Sequence, residues 1–357
     1  MSIHVVILAG GAGTRFWPAG RHDRPKQLLP IASEHSMLRE TLERCAPLAP
    51  AERTWIVTND RQATDTQAEA PELPAAQILA EPHMRNTAAA IALAAARIAR
   101  VDSDAIMVVL PADHVIRPPE LFARTFEAAA QRARDAGTLI TIGIEPSGPA
   151  TGYGYIESGE RVAEVEGFEV RSVKSFKEKP DARTAADFLA AGGYFWNAGT
   201  FVWSVAAFLD ALGEHLPGHQ KVLDAMAPEL DAGSAPSAEL YARFENVPVD
   251  IGIMERASNV EVIPAAFDWD DVGSWLALDR LRPRDGNGNV VTGEHVGIDT
   301  RDCIVIGRSD HVISTVEVAD LIIVSTPDAT LVCSKNRAED VKKIVAELKA
   351  KGRDTYL

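Results

Sequence analysis

The chain has 357 residues, of which 46% are hydrophobic and 24% are charged, a composition typical of a globular protein rather than a disordered or fibrous one. Its 36 basic and 51 acidic residues give a net charge of −15, which argues against broad binding to nucleic acid or an anionic membrane. The length favours two domains. Three widely spaced cysteines form no CxxC pair, and no apolar run approaches the roughly 18 residues that span a bilayer, so we expect a cytoplasmic protein without disulfides.

The first 145 or so residues alternate short apolar runs with alanine-rich helical stretches. The runs HVVILAG, TWIVTN, QILAE, AIMVVLPADH and TLITIGI are apolar almost throughout, as expected for strands that are buried on both faces. This pattern predicts a Rossmann-like, doubly wound α/β sheet. In RNTAAAIALAAARIAR, Asn86 or Thr87 can cap a helix whose N-terminus follows the run QILAE, at the ligand-binding edge of the sheet.

The pattern becomes mixed between about residues 150 and 280, where the strand candidates are GYGYIE, RSVKSFKEKP and FWNAGTFVWSV. After RPRDGNGN, short β-rich runs separated by turn residues predict a small all-β unit of short β-helix type. The chain closes with a helix that we expect Asn336 to cap, with Glu339 at position N3 and Gly352 as terminator. We therefore predict a mixed α/β domain over residues 1–283 and a β-rich domain over residues 284–357.

The first predicted strand runs into the loop LAGGAGTRFWPAGRHDRPKQLLP. Two common phosphate-binding loops do not fit it, because the third glycine of G-x-G-x-x-G is replaced by Phe16 and no G-K-[ST] follows as in a Walker A loop. What remains is a glycine turn followed by Arg15 and Lys26. The arginine can donate two parallel hydrogen bonds to a phosphate, and Pro25 restricts the backbone just before the lysine. We predict that this loop binds phosphate through Gly10, Gly11, Gly13, Arg15 and Lys26.

Seven motifs in order carry a resemblance to a known family. LAGGAGTRFWP followed by RPKQLLP resembles the signature of the sugar-1-phosphate nucleotidyltransferases, and EPHMRNTAAAIALAA, LPADH, FKEKP, FWNAGTF and FDWDDVGSW are similar to motifs of its mannose-1-phosphate guanylyltransferase branch. The resemblance covers about residues 3–333 and implies a GT-A-like catalytic domain over residues 1–283. It also implies GTP and mannose 1-phosphate as substrates, Mg²⁺ or Mn²⁺ as cofactor and, by analogy, a homodimer.

The chemistry that the resemblance implies agrees with these residues. A sugar phosphate, with a second pKa near 6, is largely dianionic at neutral pH and needs little acid or base catalysis to attack a nucleotide. The difficulty is that two polyanions must approach each other, so catalysis should consist of positioning and charge stabilisation. Arg15 and Lys26 would supply the cations. Asp113 and Asp271 map onto the metal carboxylates of the family, with Asp270 as a rival for Asp271, and one or two carboxylates suit Mg²⁺.

The remaining site residues divide between base and sugar. We assign guanine selection to Arg85, Asn86 and Thr87 because a helix N-terminus offers amide and hydroxyl groups to a base edge, although Asn86 and Thr87 can equally be helix caps only. The family commonly has NTAPA where this chain has NTAAA. By resemblance, the sugar phosphate would be bound by Gly154, Glu178, Lys179, Asn197 and Asp250.

Three alternatives stay open at this point. The same chemistry could act on another sugar, such as a manno-heptose or glucose 1-phosphate. A non-catalytic homologue would have kept the fold, but it should have lost Arg15, Lys26, Asp113 or Asp271, and all four are present. A Rossmann dehydrogenase is the third alternative, and binding of NAD(P) would identify it.

Overall fold

A computed structural model of the chain describes residues 2–11 and 13–357. They form two compact units, each assembled from segments that are distant in the sequence. The first unit comprises Met1–Gly10, Leu42–Ala112 and Ile116–Trp269, and the second comprises Gly11–Thr41, Asp113–Val115 and Asp270–Leu357. The loop after the first strand thus belongs to the same unit as the C-terminal strands. The sequence boundary that we place between residues 283 and 284 stays a prediction.

The first unit contains a nine-stranded mixed sheet. The strands that lie wholly or partly in this unit are β1 (Ile3–Leu8), β2 (Thr54–Asn59), β3 (Ile78–Glu81), β4 (Ile106–Pro111), β5 (Val115–Arg117), β6 (Leu139–Ile144), β7 (Tyr155–Val165), β8 (Phe168–Lys177), β9 (Tyr194–Ser204), β10 (Val260–Pro264) and β11 (Asp268–Asp270). The order in the large sheet is β3-β2-β1-β4-β9-β6-β10-β8-β7. Strands β1 to β4 pair in parallel, and β9 is antiparallel to both β4 and β6.

The apolar runs explain the parallel part of this sheet. Val5, Val6 and Ile7 of β1 are completely buried, as a strand covered on both faces requires. The predicted α/β class with a mixed sheet is confirmed. Strand β9 enters the middle of the sheet against its neighbours' direction, and its side chains Phe201 and Trp203 join the main core.

Helices cover this sheet. They are α1 (Met37–Cys45), which begins in the second unit, α2 (Ala63–Glu69), α3 (Asn86–Val101), α4 (Pro119–Ala136), α5 (Ala182–Ala191), α6 (Val205–His215), α7 (Pro217–Asp231) and α8 (Ala238–Tyr241), and a π-helical turn spans Asp250–Met254. The alanines of α3 from Ala88 to Ala96 are buried, because side chains this small allow a helix to lie close to the sheet.

The second unit contains the predicted β-rich region. Its elements are α9 (Leu278–Leu281), β12 (Val290–Thr292), β13 (His295–Ile298), β14 (Ile304–Ile306), β15 (Ile313–Val316), β16 (Leu321–Ser325), β17 (Thr330–Ser334) and α10 (Val341–Ala350). One sheet has the order β12-β14-β16-β17, and β13 pairs with β15 in a second sheet. Short parallel strands that alternate between two sheets are typical of a β-helix, so this expectation is confirmed.

The C-terminal helix begins later than the capping pattern predicts. Residues Lys335–Asp340 form a 3₁₀ helix, and α10 starts at Val341 without a side-chain cap, so Asn336 is not its N-cap. Glu339 makes an ion pair with Arg15 instead of completing a capping box. The predicted terminator is correct, because Gly352 has a φ of +64° just after the helix. Among the described residues, no helix combines the length and apolar character needed to cross a membrane.

Candidate active site

The opening loop folds tightly over Lys26 in the second unit. Gly13 has a φ of +57°, and a Cβ atom at this position would lie 2.5 Å from the backbone nitrogen of Lys26. Only glycine fits this close approach. The 3₁₀ turn Thr14–Phe16 follows, and the ring of Phe16 packs against Trp275 with centroids 5.0 Å apart. The glycine turn therefore packs directly against the backbone segment that carries Lys26.

Lys26 is the centre of the charged cluster in the second unit. It opens a 3₁₀ turn after Pro25, and only 7% of the residue is exposed. Its Nζ atom donates to Oδ2 of Asp113 at 2.8 Å and to the backbone oxygen of Asp271 at 2.6 Å. One buried ammonium thus joins three segments that are far apart in the chain.

The two predicted metal carboxylates line the same cavity. Burial would raise the pKa of the Asp113 carboxyl, but the nearby Lys26 and His114 and the hydrogen bond from Lys26 outweigh that effect and hold the pKa below its usual range. The carboxyl of Asp113 is therefore ionised at neutral pH. The cavity of about 320 Å³ is lined by Gly13, Thr14, Arg15, Phe16, Lys26, Asp113, His114, Asp271 and Gly273.

The neighbouring Asp270 has a different environment. Its Oδ1 accepts from the N–H of Val272 at 2.8 Å, and its Oδ2 accepts from Nε of Arg280 at 2.7 Å. The first bond closes an Asx turn and accompanies a φ of +49° at Val272, a conformation that a β-branched residue rarely adopts. Both oxygens of Asp270 are thus engaged by neighbouring residues, and Asp271 is among the residues that line the cavity.

The donor set in this cavity suits a magnesium-like ion. Within residues 2–11 and 13–357, no group of three or more His, Cys, Asp or Glu side chains is arranged to hold a metal. A site for Mg²⁺ does not need three, because this ion is commonly held by one or two carboxylates together with substrate phosphates and water. Asp113 and Asp271 would supply two hard oxygen ligands, and Asp113 is kept ionised. The residues present therefore fit a divalent cation.

Arg15 lies at the rim of the same cavity. Its Nε atom is 2.7 Å from Oε2 of Glu339, and the two side chains are 46% and 61% exposed. An ion pair this exposed contributes little to stability, typically less than about 1 kcal/mol. A polyanion in the cavity can therefore compete with Glu339 for the guanidinium at small cost.

A second cluster lies in the first unit, around Asn197 of β9. Oδ1 of Asn197 accepts from Oγ1 of Thr141 at 3.0 Å and from the N–H of Gly199 at 3.1 Å, and its Nδ2 donates to Oδ1 of Asp250 at 2.7 Å. These bonds fix the orientation of the amide. They leave the second Nδ2 hydrogen and Oδ2 of Asp250 without a hydrogen-bond partner among the residues that the structure describes.

Glu178, Lys179 and Gly154 belong to this second cluster. A Cβ atom at residue 154 would lie 2.6 Å from Oε2 of Glu178 and 3.3 Å from Cβ of Asn197, so glycine is needed for these side chains to approach. Lys179 has a φ of +44° and pairs with Glu178 at 2.5 Å. Burial and the charge of Glu178 together raise the pKa of the Asp250 carboxyl to about 6.

The start of α3 contacts the segment that carries Asp250. Neither Asn86 nor Thr87 caps the helix as we expected: Asn86 has a φ of +66° and accepts from the adjacent N–H of Thr87, while Oγ1 of Thr87 accepts from the N–H of Val249 at 2.9 Å. The Thr87 hydroxyl thus holds the residue that precedes Asp250. The Nε atom of Arg85 is buried without a hydrogen-bond partner among the described residues.

The structure therefore gathers the predicted residues into two sets. Gly11, Gly13, Arg15, Lys26, Asp113 and Asp271 belong to the second unit, and Gly10, Arg85, Asn86, Thr87, Gly154, Glu178, Lys179, Asn197 and Asp250 belong to the first. Sequence reasoning overlooked His114, although it completes the motif LPADH, and also Glu81 and Tyr241. Tyr241 carries no local signal, because its partner Glu81 is 160 positions away.

Comparison with known proteins agrees with this arrangement. The family model described as nucleotidyl transferase matches residues 4–285, and one described as a MannoseP isomerase/GMP-like beta-helix domain matches residues 293–348. The chain is 37% identical over 356 residues to a mannose-1-phosphate guanylyltransferase of Escherichia coli, covering 98% of this chain and 75% of the relative. It is 36% identical over 357 residues to the xanthan biosynthesis protein XanB of Xanthomonas campestris pv. campestris (strain B100), covering 98% and 73%.

Solved structures show the same relationship. The crystal structure of mannose-1-phosphate geranyltransferase from Thermus thermophilus superposes with a TM-score of 0.87 at 34% identity, covering 98% of this chain and 100% of that one. The similarity therefore extends over both units of the molecule. With a family model that spans most of its length and relatives above 30% identity over 98% of its residues, the chain belongs to the nucleotidyl transferase family.

Proposed function

We propose that this protein is an enzyme that transfers GMP from GTP to α-D-mannose 1-phosphate, giving GDP-mannose and pyrophosphate. The single observation that carries the proposal is the contact of buried Lys26 with both Asp113 and Asp271, in a cavity that also exposes Arg15. Desolvating the ion pair of Lys26 and Asp113 is costly, so its place in this cavity is better explained by a charged ligand than by a gain in stability. Similarity to the guanylyltransferase of Escherichia coli supports the choice of nucleotide and sugar.

The reaction is a nucleotidyl transfer at phosphorus. A phosphate oxygen of the sugar phosphate attacks the α-phosphorus in line, the bond from that phosphorus to the bridging oxygen breaks, and pyrophosphate leaves with the bonding electrons. Lys26 and Arg15 stabilise the negative charge that collects on the transferred group and on pyrophosphate. The backbone N–H groups of the glycine turn, Gly10, Gly11 and Gly13, bind phosphate oxygens in this proposal.

A divalent cation is the implied cofactor, since family members generally use one. In our proposal Asp113 and Asp271 hold Mg²⁺, or Mn²⁺ in its place. When bound, the ion would neutralise phosphate charge and orient the reacting groups. Lys26 keeps Asp113 ionised, so the same lysine serves the metal carboxylate and the phosphates.

The first unit provides the sugar-binding groups in this proposal. Asn197 and Asp250 form a hydrogen-bonded pair that retains one donor and one acceptor for sugar hydroxyls, and Glu178 adds a further acceptor. Lys179 is 62% exposed, so its ammonium is accessible to the sugar phosphate. Gly154 lets these side chains come together. Arg85, with its unpaired buried Nε, is the nucleotide-binding candidate at the start of α3, together with Asn86 and Thr87.

A substrate panel tests the proposal. The purified protein is mixed with Mg²⁺, each of GTP, ATP, UTP and CTP, and each of mannose, glucose and manno-heptose 1-phosphate, and release of pyrophosphate is measured. We expect the pair GTP and mannose 1-phosphate to give the largest kcat/KM. A larger value for another sugar would redirect the proposal within the same chemistry, and no release with any pair would refute it in favour of a non-catalytic role.

Two further expectations accompany the proposed activity. The three cysteines are free thiols, in agreement with a cytoplasmic location. A homodimer rests on analogy alone and stays a prediction, which sedimentation of the purified chain tests.

A further inference from the structure

Trp17 follows the turn that forms one wall of the proposed phosphate cavity in the second unit. Thr14, Arg15 and Phe16 make up that turn, and all three line the cavity. Only 8% of Trp17 is exposed, and it is not one of the described residues that line the cavity. The proposed chemistry gives it no direct role, so any effect of Trp17 on the reaction must pass through its neighbours.

Both polar groups of Trp17 that face away from the turn bond to residues that are distant in the sequence. Its carbonyl oxygen accepts from Nε1 of Trp275 at 3.1 Å, and its own Nε1 donates to the backbone oxygen of Tyr356 at 2.8 Å. An indole has a single N–H donor, so the second bond uses the only polar group of the side chain. Trp17 thus links two segments that lie 258 and 339 positions further along the chain.

The bond from Trp275 connects Trp17 to the opposite wall of the cavity. Trp275 follows Gly273 by two positions, and both Gly273 and Asp271 line the cavity. The Trp275 ring is 3% exposed and packs against Phe16 with centroids 5.0 Å apart. The hydrogen bond and the ring contact therefore fix the wall that carries Arg15 relative to the wall that carries Asp271.

The bond to Tyr356 connects Trp17 to a short C-terminal turn. Residues Asp354–Tyr356 form this 3₁₀ turn after helix α10. Asp354 and Thr355 are exposed, so the turn adds little apolar area to the core. Its main contact with the cavity region is the hydrogen bond that its backbone accepts from Trp17.

Arg21 fixes the other side of the Trp17 ring. Its guanidinium carbon lies 5.8 Å from the ring centroid, and its Nε donates to the backbone oxygen of Pro18 at 2.6 Å. One of its terminal nitrogens donates to Oδ1 of Asp328 at 2.9 Å, in the turn between β16 and β17. These contacts hold the indole in one orientation, so its N–H points at a fixed place.

We propose that Trp17 is a positioning residue, through which the C-terminal turn Asp354–Tyr356 holds Arg15 in its working position relative to Asp271. The inference rests on the proposed function and adds a requirement to it, since the described residues that line the cavity include no member of the C-terminal turn. A displacement of about 1 Å at a reacting centre can lower a rate about 100-fold. The bond from Trp17 to Tyr356 should therefore act on kcat.

Two changes remove this bond from its two ends. Deletion of residues 354–357 removes the acceptor, and Trp17→Phe removes the donor while keeping an aromatic ring. Each should lower kcat by about 10-fold, the effect of losing one hydrogen bond, with the KM for mannose 1-phosphate within about 2-fold of the wild type. If Trp17 only packs, the variants lose stability but keep the wild-type kcat per folded molecule, and that result overturns the inference.

The combined variant shows whether the two changes act on the same bond. Trp17→Phe in the shortened chain should lower kcat by about 10- to 20-fold, because the second change has no bond left to remove. Independent effects would multiply to about 100-fold. Steady-state pyrophosphate release with GTP, mannose 1-phosphate and Mg²⁺ measures all three variants, and a loss near 100-fold in the combined variant contradicts the inference.

Trp55 provides a matched control in the first unit. It is 6% exposed, and its Nε1 donates to Nδ1 of His4 at 3.1 Å, so Trp55→Phe removes a comparable buried indole hydrogen bond. We expect kcat of Trp55→Phe to stay within about 2-fold of the wild type, because this bond does not reach the cavity. A loss as large as that of Trp17→Phe would attribute both losses to general destabilisation and overturn the inference.

Hydrogen exchange measures the positioning without turnover. The N–H of Phe16 donates to the oxygen of Gly13 at 3.0 Å, and the N–H of Gly20 donates to the oxygen of Phe16 at 2.7 Å. Deletion of residues 354–357 and Trp17→Phe should each speed exchange of these two amides by about 5-fold or more, whereas Trp55→Phe should not. Unchanged exchange overturns the inference. If the shortened chain does not fold, Trp17→Phe gives the same comparison in the full chain.

The outcomes also separate this inference from the proposed function. Faster exchange at Phe16 and Gly20 in a protein that releases no pyrophosphate with any substrate pair refutes the reaction and leaves the contact between the C-terminal turn and the cavity wall standing. A protein that makes GDP-mannose and keeps its full kcat after Trp17→Phe supports the reaction and refutes the positioning role.

Discussion

The charged groups of the two units have opposite electrostatic settings. In the second unit, Lys26 and its hydrogen bond outweigh the effect of burial and lower the pKa of Asp113, so this carboxyl is charged at neutral pH. In the first unit, burial raises the pKa of Asp250 to about 6 and that of Glu81 to about 7, and their hydrogen-bond partners are Asn197 and Tyr241, which are neutral. The second unit is thus suited to phosphates and a metal, and the first to hydroxyls and a base.

This difference predicts that the groups responsible for catalysis lie in the second unit and that those responsible for substrate selectivity lie in the first. Charge that is paired in the free protein can be redirected to a polyanion, and such preorganised groups accelerate a reaction. Buried carboxylates with neutral partners instead accept hydrogen bonds from an uncharged ligand, so they distinguish ligands by the positions of their donors. Substitutions in the second unit should therefore lower kcat, and substitutions in the first should raise KM or change the substrate.

The largest effect is expected for Lys26→Ala. This change removes the ammonium that we propose to bind the phosphates and leaves the Asp113 carboxylate without its cation, so turnover should fall by at least about 100-fold. Lys26→Arg is the matched control for charge. It should also lose most activity, because a planar guanidinium does not fit where one Nζ contacts both Asp113 and the Asp271 carbonyl. Steady-state pyrophosphate release measures both variants, and near-normal turnover of Lys26→Ala would remove this residue from the proposed chemistry.

A comparable loss is expected for Asp271→Asn, and the adjacent aspartate provides its control. Asp271→Asn should lower turnover by about 100-fold and raise the Mg²⁺ concentration needed for half-maximal activity. Asp270→Asn keeps an oxygen that can accept from Val272, so its turnover should change by less than about 3-fold. Chelation of divalent ions should stop the wild-type enzyme, and added Mg²⁺ should restore it. Equal loss in both variants would contradict the assignment of Asp271.

Asp250→Asn tests the first unit through both activity and stability. The KM for mannose 1-phosphate should rise by about 10-fold, the effect of losing one hydrogen bond to a charged acceptor, with a smaller change in kcat. The folded pKa of about 6 exceeds the ordinary value of 3.8, so the native state binds the extra proton between about pH 4 and pH 6. The free energy of unfolding of the wild type therefore falls as pH rises through this range, relative to the variant.

The size of that stability difference follows from the shift. About 1.4 kcal/mol per pKa unit gives roughly 2 to 3 kcal/mol in favour of Asp250→Asn above pH 7, and little difference near pH 4. Urea unfolding of both proteins at pH 4.5, 6 and 7.5 measures it, since groups common to both cancel. A stability difference that does not depend on pH would show that Asp250 has an ordinary pKa.

Local patterns in the sequence predict much of this molecule. The apolar runs predict β1 to β4 because a strand that is buried on both faces can have no polar alternation. The alanine-rich stretch predicts α3, since propensity and burial agree there. Ordered motifs locate Lys26, Asp113 and Asp271 on the strand ends and turns that surround one cavity.

Other features depend on contacts between distant residues and could not be predicted. Nothing local in FWNAGTFVWSV determines that β9 runs antiparallel between β4 and β6, because strand direction depends on where the chain returns to the sheet. The hydroxyls of Thr87 and Tyr241 find partners 162 and 160 positions away, Val249 and Glu81. The capping pattern at Asn336 was wrong because Asn336 lies inside the 3₁₀ segment Lys335–Asp340, which delays the helix, and because Glu339 pairs with Arg15.

The smallest effect is expected at the exposed ion pair between Arg15 and Glu339, both of which belong to the second unit. Glu339→Gln should change the free energy of unfolding by less than about 0.5 kcal/mol and lower the KM for GTP by no more than about 3-fold, because it frees a guanidinium that was only loosely held. Arg15→Ala breaks the same ion pair and should instead lower kcat by about 100-fold. If Arg15 acts on phosphates, the two variants must differ in this way, although each removes one partner of a single contact. Equal losses of kcat would mean that Glu339 holds Arg15 in its working position, and the ion pair would then belong to the catalytic arrangement.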